Sequence, residues 1–537
     1  MQQSSPWRLI GTMRRATFRM IAVLAAAGCR GAPADCPRCD TIVVAAISEP
    51  DHLLPPLVWE SVGRDIMDLS FERLAVLEAG RPPLDPAGYQ PGLATRWTRI
   101  DSATWRFRLR PAARWHDGTP VTPRDVVFSF HAFQDSVLDS PARGSLTGMR
   151  VEAESDSTVL IRFARAYPEQ LYDATWHVRV FPAHIWEPRP TDEWATDTST
   201  AALIGSGPYR IVRWDRGQSL TLERTEGSRA RIGRAVWRFA DSPDAAANLV
   251  LSHEADALET IPDPARRAEF TADSSLTFHP YPSAVYGYLG FRLTGTGALA
   301  DTRVRRALAL ALDREQLATA VFGEGTKVPP GPISGIVWLW DGRSPAALDT
   351  AEAGDLLDAA GWPRGRAGIR SRNGRALTVD ILIPATSATR RSMAVAIQER
   401  WKRIGIVASV SAVDFPVFQE RLGRGQFDGY IGAWLDEPSP RSLADQWTRR
   451  GWATQNYGRY GNPAFDQQFE AAMAAATPEA ARAAWQQALA TMEADQPAIF
   501  LYTLTNTAVI SRRFANVAID PYGWTRRLPE WSLVPAR

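Results

Sequence analysis

Alternating apolar and polar positions predict several β-strands in the first half of the chain. Tryptophan, phenylalanine and leucine alternate with arginine over residues 105–110, which is typical of a strand with one buried face. The same alternation returns over residues 159–163 and 220–222. The apolar run TIVVAAI, which begins at Thr41, indicates a short buried strand that ends in a proline-rich loop.

Apolar residues at helical spacing predict longer helices in other parts of the chain. Residues 301–323 show this spacing, with Asp301 at the position of an N-cap and Gly323 just beyond the end. Two further helical regions are expected at about residues 63–77 and 463–495.

Strands and helices alternate in the second half of the chain. Residues 376–384 and 406–413 have strand patterns, and residues 387–405 between them predict an amphipathic helix that ends at Gly405. This order favours an α/β domain with parallel strand pairing. The segment 498–510 returns to a strand pattern.

A histidine and an aspartate, His116 and Asp117, stand side by side in the stretch WHDGTPVTPRD. Asp117 and the glycine after it form a strong turn signal. Thr122 and Asp125 flank a proline in the pattern of a capping box, which predicts a helix start. The helix that follows places three apolar residues on one face: Val126, Phe130 and Phe133. Every residue therefore has a local structural role, and we expect architecture here rather than catalysis.

Common catalytic and cofactor-binding signatures are absent from the sequence. Seven histidines are present, and none belongs to an H-E-x-x-H pattern. The chain has no G-x-S-x-G, no P-loop and no dinucleotide fingerprint, and the G-x-G of GSGPY is followed directly by proline. We expect no catalytic residues, no metal site and no cofactor.

Length and composition are those of a globular protein with two or three domains. The chain has 537 residues, of which 45% are hydrophobic and 22% charged. Because no block of basic residues stands out, nucleic acid is not expected as a partner.

Residues 1–28 differ from the rest of the sequence. They contain four arginines and no acidic residue, and a short apolar run leads to Gly28 and Cys29. This pattern is typical of an export signal, whose removal would change the formal net charge from +2 to −2. The run LAAAGC resembles a bacterial lipobox, which implies that Cys29 is lipidated and that residues 29–40 form a tether to the membrane.

Cys36 and Cys39 are the other two cysteines and form a C-x-x-C pair. Such pairs occur in redox motifs and in zinc sites. The flanking chain offers only acids as further metal ligands, and an extended run follows instead of a helix. A local disulfide or two free thiols are therefore expected.

Several segments, taken in order, resemble the family 5 solute-binding proteins of ABC importers, the group that binds oligopeptides, dipeptides and nickel. The matching stretches include TIVVAAISEPDHLLPP, PGLATRWTRIDSATWRFRLRPAARWHDGTPVTPRDVVFSF, GSGPYRIVRWDRGQSLTL, RVRRALALALDRE, FDGYIGAWLDEPSP and NYGRYGNPAFDQQFE. The resemblance covers nearly all of the chain after the signal, and its strength lies in the ordered succession of these segments.

This resemblance implies an α/β protein with a two-lobed periplasmic-binding-protein fold of type II and an additional α+β domain. Lobe I would combine residues 41–60, 205–288 and 505–537. Residues 61–204 would form the extra domain, and residues 289–504 would form lobe II. A ligand would bind between the lobes, which would close around it about a hinge.

The resemblance also implies candidate ligand-binding residues in lobe II. Trp434 and Asp436, in GAWLDEP, resemble a stretch in which an aspartate pairs with the amino terminus of a peptide. Only Leu435 separates the two, which is a shorter spacing than in the peptide binders. Loop capping before Pro438 is the alternative role for Asp436, and core packing is the alternative for Trp434.

Further candidates lie elsewhere in the chain. Glu49 follows the first strand and could line the cleft, with a solvated loop acid as the alternative. Tyr286 and Tyr288 precede the crossing into lobe II, and we expect one to face the ligand while the other packs by alternation. Asn456 lies where the family often has an asparagine near the pocket.

The function implied by the resemblance is that of a monomeric, non-enzymatic substrate-binding lipoprotein of the periplasm or cell envelope. It would capture a small polar solute, a short peptide above all, and deliver it to an ABC permease and ATPase complex. A ligand-binding sensor or envelope protein that is uncoupled from import is the first alternative. An exported hydrolase or thiol oxidoreductase is the second, and the missing nucleophile–base pattern argues against it.

Overall fold

The computed structural model describes residues 40–197, 199–261, 263–334 and 337–535. Several predictions fall outside the described residues: the signal peptide, most of the tether, Cys29, Cys36 and Cys39.

Strands make up a large share of the described chain. They are β1 Thr41–Ala46, β2 Ala75–Leu77, β3 Tyr89–Pro91, β4 Ala94–Asp101, β5 Thr104–Leu109, β6 Arg150–Ser155, β7 Thr158–Arg162, β8 Tyr209–Asp215, β9 Ser219–Arg224, β10 Arg234–Phe239, β11 Ala257–Leu258, β12 Leu276–Phe291, β13 Ser371–Arg372, β14 Arg375–Ala376, β15 Thr378–Pro384, β16 Val407–Val413, β17 Gly429–Leu435, β18 Ala498–Ser511, β19 Phe514–Ala515 and β20 Ser532–Leu533.

The α-helices lie between these strands. They are α1 Ser61–Ser70, α2 Pro123–Gln134, α3 Gln170–Trp176, α4 Ala183–Trp186, α5 Pro243–Leu251, α6 Arg267–Ala272, α7 Thr302–Leu310, α8 Arg314–Phe322, α9 Thr350–Ala359, α10 Ala388–Arg403, α11 Phe415–Arg424, α12 Leu443–Trp447, α13 Pro463–Ala474 and α14 Pro478–Asp495.

A mixed ten-stranded sheet runs through the protein in the order β16-β15-β17-β12-β18-β11-β1-β10-β9-β8. β1 is parallel to β10 and β11, and β15 is parallel to β16 and β17. The predicted parallel pairing in the second half is therefore confirmed. The 16-residue β12 and the 14-residue β18 pair antiparallel in the middle of the sheet.

Three large hydrophobic cores pack against this sheet. The first draws mainly on residues 42–237 and 508–531, and the second and third draw on residues 285–504. β12 contributes Tyr281 to the first core and Leu289 to the second, and β18 likewise reaches both. The two long strands therefore connect two halves of the molecule that have separate cores.

A second, four-stranded antiparallel sheet, β4-β5-β7-β6, lies within the first half. The predicted alternation in β5 is confirmed, because Phe107 and Leu109 are buried while Arg106 and Arg108 are exposed. This sheet shares the first core with β1 and with strands β8 to β10. The boundaries of a separate domain at residues 61–204 stay a prediction.

Helix α2 packs beside this sheet and starts as the capping box predicts. The backbone N–H of Thr122 donates to the Asp125 carboxylate over 2.8 Å. The three apolar residues predicted for one face are all buried: Val126, Phe130 and Phe133.

The helix expected at residues 63–77 is shorter than predicted. α1 ends at Ser70, and Ala75–Leu77 form β2, which pairs with β3. The prediction was wrong here because strand pairing with residues 89–91 overrides the local helical pattern.

The two other long helical patterns are each divided into two helices. Asp301 caps α7 as predicted, but Asp313 then caps a new helix, α8, by accepting from the Gln316 N–H at 2.9 Å. Thr477 caps α14 in the same way within residues 463–495. A second N-cap inside an apolar pattern thus ends one helix and starts another.

A buried ion cluster joins α1 to the C-terminal segment. Asp68, whose side chain is 3% exposed, pairs with Arg179 at 2.6 Å, with Arg526 at 2.9 Å and with Arg73 at 3.1 Å. Burial alone would raise the pKa of Asp68, but the three guanidinium charges lower it well below its usual range. The guanidiniums of Arg73 and Arg526 each lie 5.3 Å from the ring of Trp176.

Candidate functional site

A buried acid, Asp436, lies directly after β17, at the junction between the two halves. It is 5% exposed. Its backbone N–H donates to the Ala284 carbonyl of β12 at 2.6 Å, and its carboxylate accepts from the Ser334 N–H at 2.6 Å. Burial and the nearby negative charge of Glu437 raise the pKa of Asp436 to about 7.

No cationic side chain forms an ion pair with Asp436 within the ranges that the structure describes. A buried carboxylate is costly unless a cation or several hydrogen bonds compensate for the lost water. The pKa of Asp436 is raised because no such cation in the described part of the chain compensates for its burial. Asp436 is therefore suited to accept a positively charged group from outside the chain.

Tyr286 and Tyr288 of β12 both lie in the third core, 0% and 2% exposed. The Tyr286 hydroxyl donates to Gln446 Oε1 at 2.6 Å and accepts from Trp447 Nε1 at 3.0 Å, while the Tyr288 hydroxyl lies 2.9 Å from that of Tyr430. The two tyrosine rings are 5.9 Å apart. The prediction that alternation separates them is wrong, because residues i and i+2 of a strand point to the same face. A ligand contact for either stays a prediction.

Trp434 lies at the end of β17 and pairs with Tyr286 across the sheet. Its half-buried ring stacks on Tyr457, with ring centroids 6.5 Å apart and an angle of 11° between the planes. Trp434, Tyr286 and Asp436 therefore lie close together. Whether Trp434 also contacts a ligand stays a prediction.

Asn456 is buried, and its side chain bonds to the backbone of its own loop. Its amide Nδ2 donates to the carbonyls of Thr448 and Tyr460 at 2.9 and 2.8 Å, and its Oδ1 accepts from the Tyr460 N–H at 3.0 Å. These bonds use both donors of the amide group. The structure gives Asn456 a loop-stabilising role, and its ligand-binding role stays a prediction.

Glu49 lies at the sheet edge, where the carboxyl end of β1 meets the β8–β9 hairpin. Its carboxylate accepts from Trp214 Nε1 at 2.7 Å and from the Gly217 N–H at 2.8 Å. The guanidinium of Arg216 lies over the Trp214 ring at 3.4 Å and lines, together with Glu49, His52 and Trp59, an open cavity of about 590 Å³. The two hydrogen bonds to Glu49 thus fix the β8–β9 hairpin beside this cavity. A contact between Glu49 and a ligand stays a prediction.

Sequence reasoning missed the residues of the other half that lie near Asp436 and Glu437. The Tyr172 hydroxyl of α3 lies 3.4 Å from the carboxylate of Glu437. Burial, together with the negative charge of Asp436, raises the pKa of Tyr522 in the C-terminal segment. These residues are more than 80 positions from Asp436 in the sequence, so no local pattern could bring them together.

Among the described residues, no group of three or more histidine, cysteine, aspartate or glutamate side chains is arranged to hold a metal ion. Likewise, none of the described helices combines the length and the apolar character that crossing a membrane requires.

A large central sheet shared by two halves, with mixed α/β content, is the arrangement of a type II periplasmic-binding-protein fold. The fold is α/β with an additional α+β region, as the sequence predicted. It is the fold of proteins that bind solutes between two lobes.

The chain belongs to family 5 of the bacterial extracellular solute-binding proteins, whose middle-region model matches residues 88–456. It is 24% identical to protein XP55 of Streptomyces lividans, over 90% of this chain and 88% of XP55. It is 25% identical to the periplasmic oligopeptide-binding protein OppA of Salmonella typhimurium, over 77% of each chain. The structure of NikZ from Campylobacter jejuni in complex with Ni(L-His) superimposes with a TM-score of 0.73 at 22% identity, covering 92% of this chain and 99% of NikZ.

Proposed function

We propose that this protein is the substrate-binding lipoprotein of an ABC importer, which captures short peptides between two hinged lobes and delivers them to a permease. Asp436 carries the proposal. It is a buried carboxylate at the junction of the halves, it lacks a cationic partner among the described residues, and Glu437 stands next to it. The ammonium group at the amino terminus of a peptide supplies the missing charge.

Two further observations support a peptide ligand. The matched OppA relative is named as an oligopeptide-binding protein. The ring of Trp434, which lies beside Asp436, also offers an aromatic surface to a side chain of the ligand.

Peptide binding is tested by thermal unfolding of the purified protein with trialanine, N-acetyl-trialanine and nickel–histidine. A ligand at ~100 times its Kd stabilises the native state by roughly 2.7 kcal/mol. We expect trialanine to raise the Tm and the acetylated peptide, which lacks the ammonium group, to leave it unchanged. Native mass spectrometry of the freshly purified protein identifies a co-purified ligand directly.

Two outcomes would contradict the peptide proposal. If trialanine and its acetylated form raise the Tm equally, the ammonium group has no role in binding. Stabilisation by nickel–histidine alone assigns the site to the class of ligand that NikZ holds in its structure.

Membrane tethering follows from the proposed lipidation of Cys29. In bacteria that express the full chain, the wild type should sediment with membranes and a Cys29→Ser variant should not. Importer coupling is tested separately, by the presence of two permease genes and two ATPase genes beside the gene. An isolated gene would favour the sensor or envelope function.

We also propose that the protein performs no catalytic step and acts as a monomer. His116 bonds to backbone groups of residues 205–207. Its nitrogens are therefore engaged in structural contacts. Light scattering of the purified protein checks the monomeric state.

A further inference from the structure

An arginine of the second half, Arg441, pairs with side chains of the first half. Its Nη2 donates to Glu169 Oε2 at 3.0 Å, and its Nη1 pairs with Asp173 Oδ2. The guanidinium also lies 4.8 Å from the ring of Tyr167. Arg441 is separated from Glu169 and Asp173 by about 270 positions, so this is a long-range contact.

The two carboxylates are buried and held in place by their own neighbours. The side chains of Glu169 and Asp173 are 4% and 3% exposed, whereas that of Arg441 is 35% exposed. Tyr167 donates its hydroxyl hydrogen to Asp173 Oδ2 at 2.7 Å, and His177 Nε2 lies 3.5 Å from Asp173 Oδ1. Asp173 is thus positioned by residues of its own half as well as by Arg441.

The loop that carries Arg441 is the loop that carries the proposed ligand-binding acid. Residues 436–441 connect β17 to the segment before α12, and Ser439 of this loop also bonds to Glu169. α3 packs into the first core, and α12 packs into the third. The contact therefore joins two cores that the chain otherwise connects through β12 and β18.

We propose that Arg441, Glu169 and Asp173 form a clasp that holds the two halves together beside Asp436. This inference rests on one part of the proposed function, namely that the two halves move apart to admit a ligand. A forked guanidinium pairs with two carboxylates at once, so the clasp forms fully in one relative position of the halves and is lost when they separate. Such a contact biases a two-state equilibrium toward the closed arrangement.

The experiment measures the radius of gyration of the ligand-free full chain by small-angle X-ray scattering. Arg441→Gln removes the clasp, and Arg450→Gln is the matched control. Arg450 pairs with Asp445 within the same half at 3.0 Å, and its side chain is 66% exposed. We expect Arg441→Gln to have a larger radius of gyration than the wild type, and Arg450→Gln to be unchanged.

Two further variants keep the test decisive if Arg441→Gln folds poorly. Arg441→Lys retains the charge but loses the fork, so we expect a radius between those of the wild type and the glutamine variant. Asp173→Asn should expand the protein as well, and combining it with Arg441→Gln should add little, because both remove the same contact.

Equal radii for Arg441→Gln, Arg441→Lys, Arg450→Gln and the wild type would overturn the clasp. This readout needs no ligand. A protein that expands as expected but responds to no peptide would contradict the proposed function and leave the clasp standing.

Discussion

His116 Nε2 donates a hydrogen bond to the Gly207 carbonyl across 3.0 Å, and so joins the turn before α2 to the loop before β8. The Gly205 N–H donates to the other ring nitrogen, Nδ1, at 3.2 Å. Since Nδ1 accepts, the proton is on Nε2 and the ring is neutral. A Cβ on Gly205 would lie 1.8 Å from the Ser70 carbonyl oxygen, which explains why the loop needs glycine there.

Replacing His116 with alanine should lower the free energy of unfolding by about 1–3 kcal/mol at pH 8, because the buried Gly205 N–H loses its partner and the Gly207 carbonyl keeps only the Thr225 hydroxyl. Urea denaturation measures the change. His131→Ala, at an exposed position in α2, should change stability little.

The stabilisation by His116 should also depend on pH. Burial lowers the pKa of His116 below 6.5, so the folded protein favours the neutral ring. The contribution of His116 to the free energy of unfolding is therefore complete above pH 6.5. It decreases as the pH falls through the lowered pKa of the folded state. A His116→Ala deficit that stays constant from pH 8 to pH 5 would contradict this.

Asp68→Asn should be far more destabilising than a typical surface change. It leaves three buried guanidiniums without their shared carboxylate, and breaking a buried ion pair costs about 3–5 kcal/mol. Asp85→Asn is the control, because Asp85 pairs with Arg81 at the surface, where such pairs contribute roughly 0.3–0.5 kcal/mol. Chemical denaturation of both variants at pH 7 gives the comparison.

Asp436→Asn should stabilise the ligand-free protein at pH 8 by ~1–3 kcal/mol, because it removes an uncompensated buried charge. The folded pKa of about 7 lies above the ordinary 3.8, so the wild type gains stability as the pH falls between these values. The advantage of the variant should therefore shrink toward pH 5. Thermal unfolding at both pH values measures this change.

The same Asp436→Asn variant should lose its response to trialanine. The response of the wild type should strengthen from pH 6 to pH 8 as Asp436 ionises. Asp445→Asn, at a half-exposed side chain, serves as the control and should keep the wild-type response. An unchanged peptide response in Asp436→Asn contradicts the assigned role.

Tyr286→Phe separates a core role from a ligand contact. The lost hydroxyl leaves Gln446 and Trp447 without a buried partner, so we expect a loss of about 1–3 kcal/mol in stability. Isothermal titration of Tyr286→Phe with the peptide identified for the wild type should give a Kd within about twofold of the wild-type Kd. A tenfold weaker Kd, equal to ~1.4 kcal/mol, would instead support direct contact with the ligand.

Elements with a strong local signal were predictable from the sequence. The capping box of α2 and the alternation in β5 depend on neighbouring residues, and both are confirmed. The N-cap at Asp313 was also readable as an aspartate followed three residues later by Gln316, but the continuous apolar spacing concealed it.

The site could be predicted only in part. Trp434 and Asp436 could be proposed as candidates because they belong to one recognisable stretch. Glu169, Tyr172 and Arg441 could not be found in this way, since they come together only when segments about 270 positions apart meet. The hydrogen bonds that occupy Tyr286 and Asn456 are likewise products of packing, which the alternation of residues does not encode.

The pairing of β12 with β18 has a consequence for how the chain is assembled. Gly290, near the end of β12, lies opposite Ala498, the first residue of β18, so the chain leaves the first half and returns to it in adjacent strands. The intervening segment 292–497 thus has the topology of an inserted domain, whose two ends are one strand spacing apart.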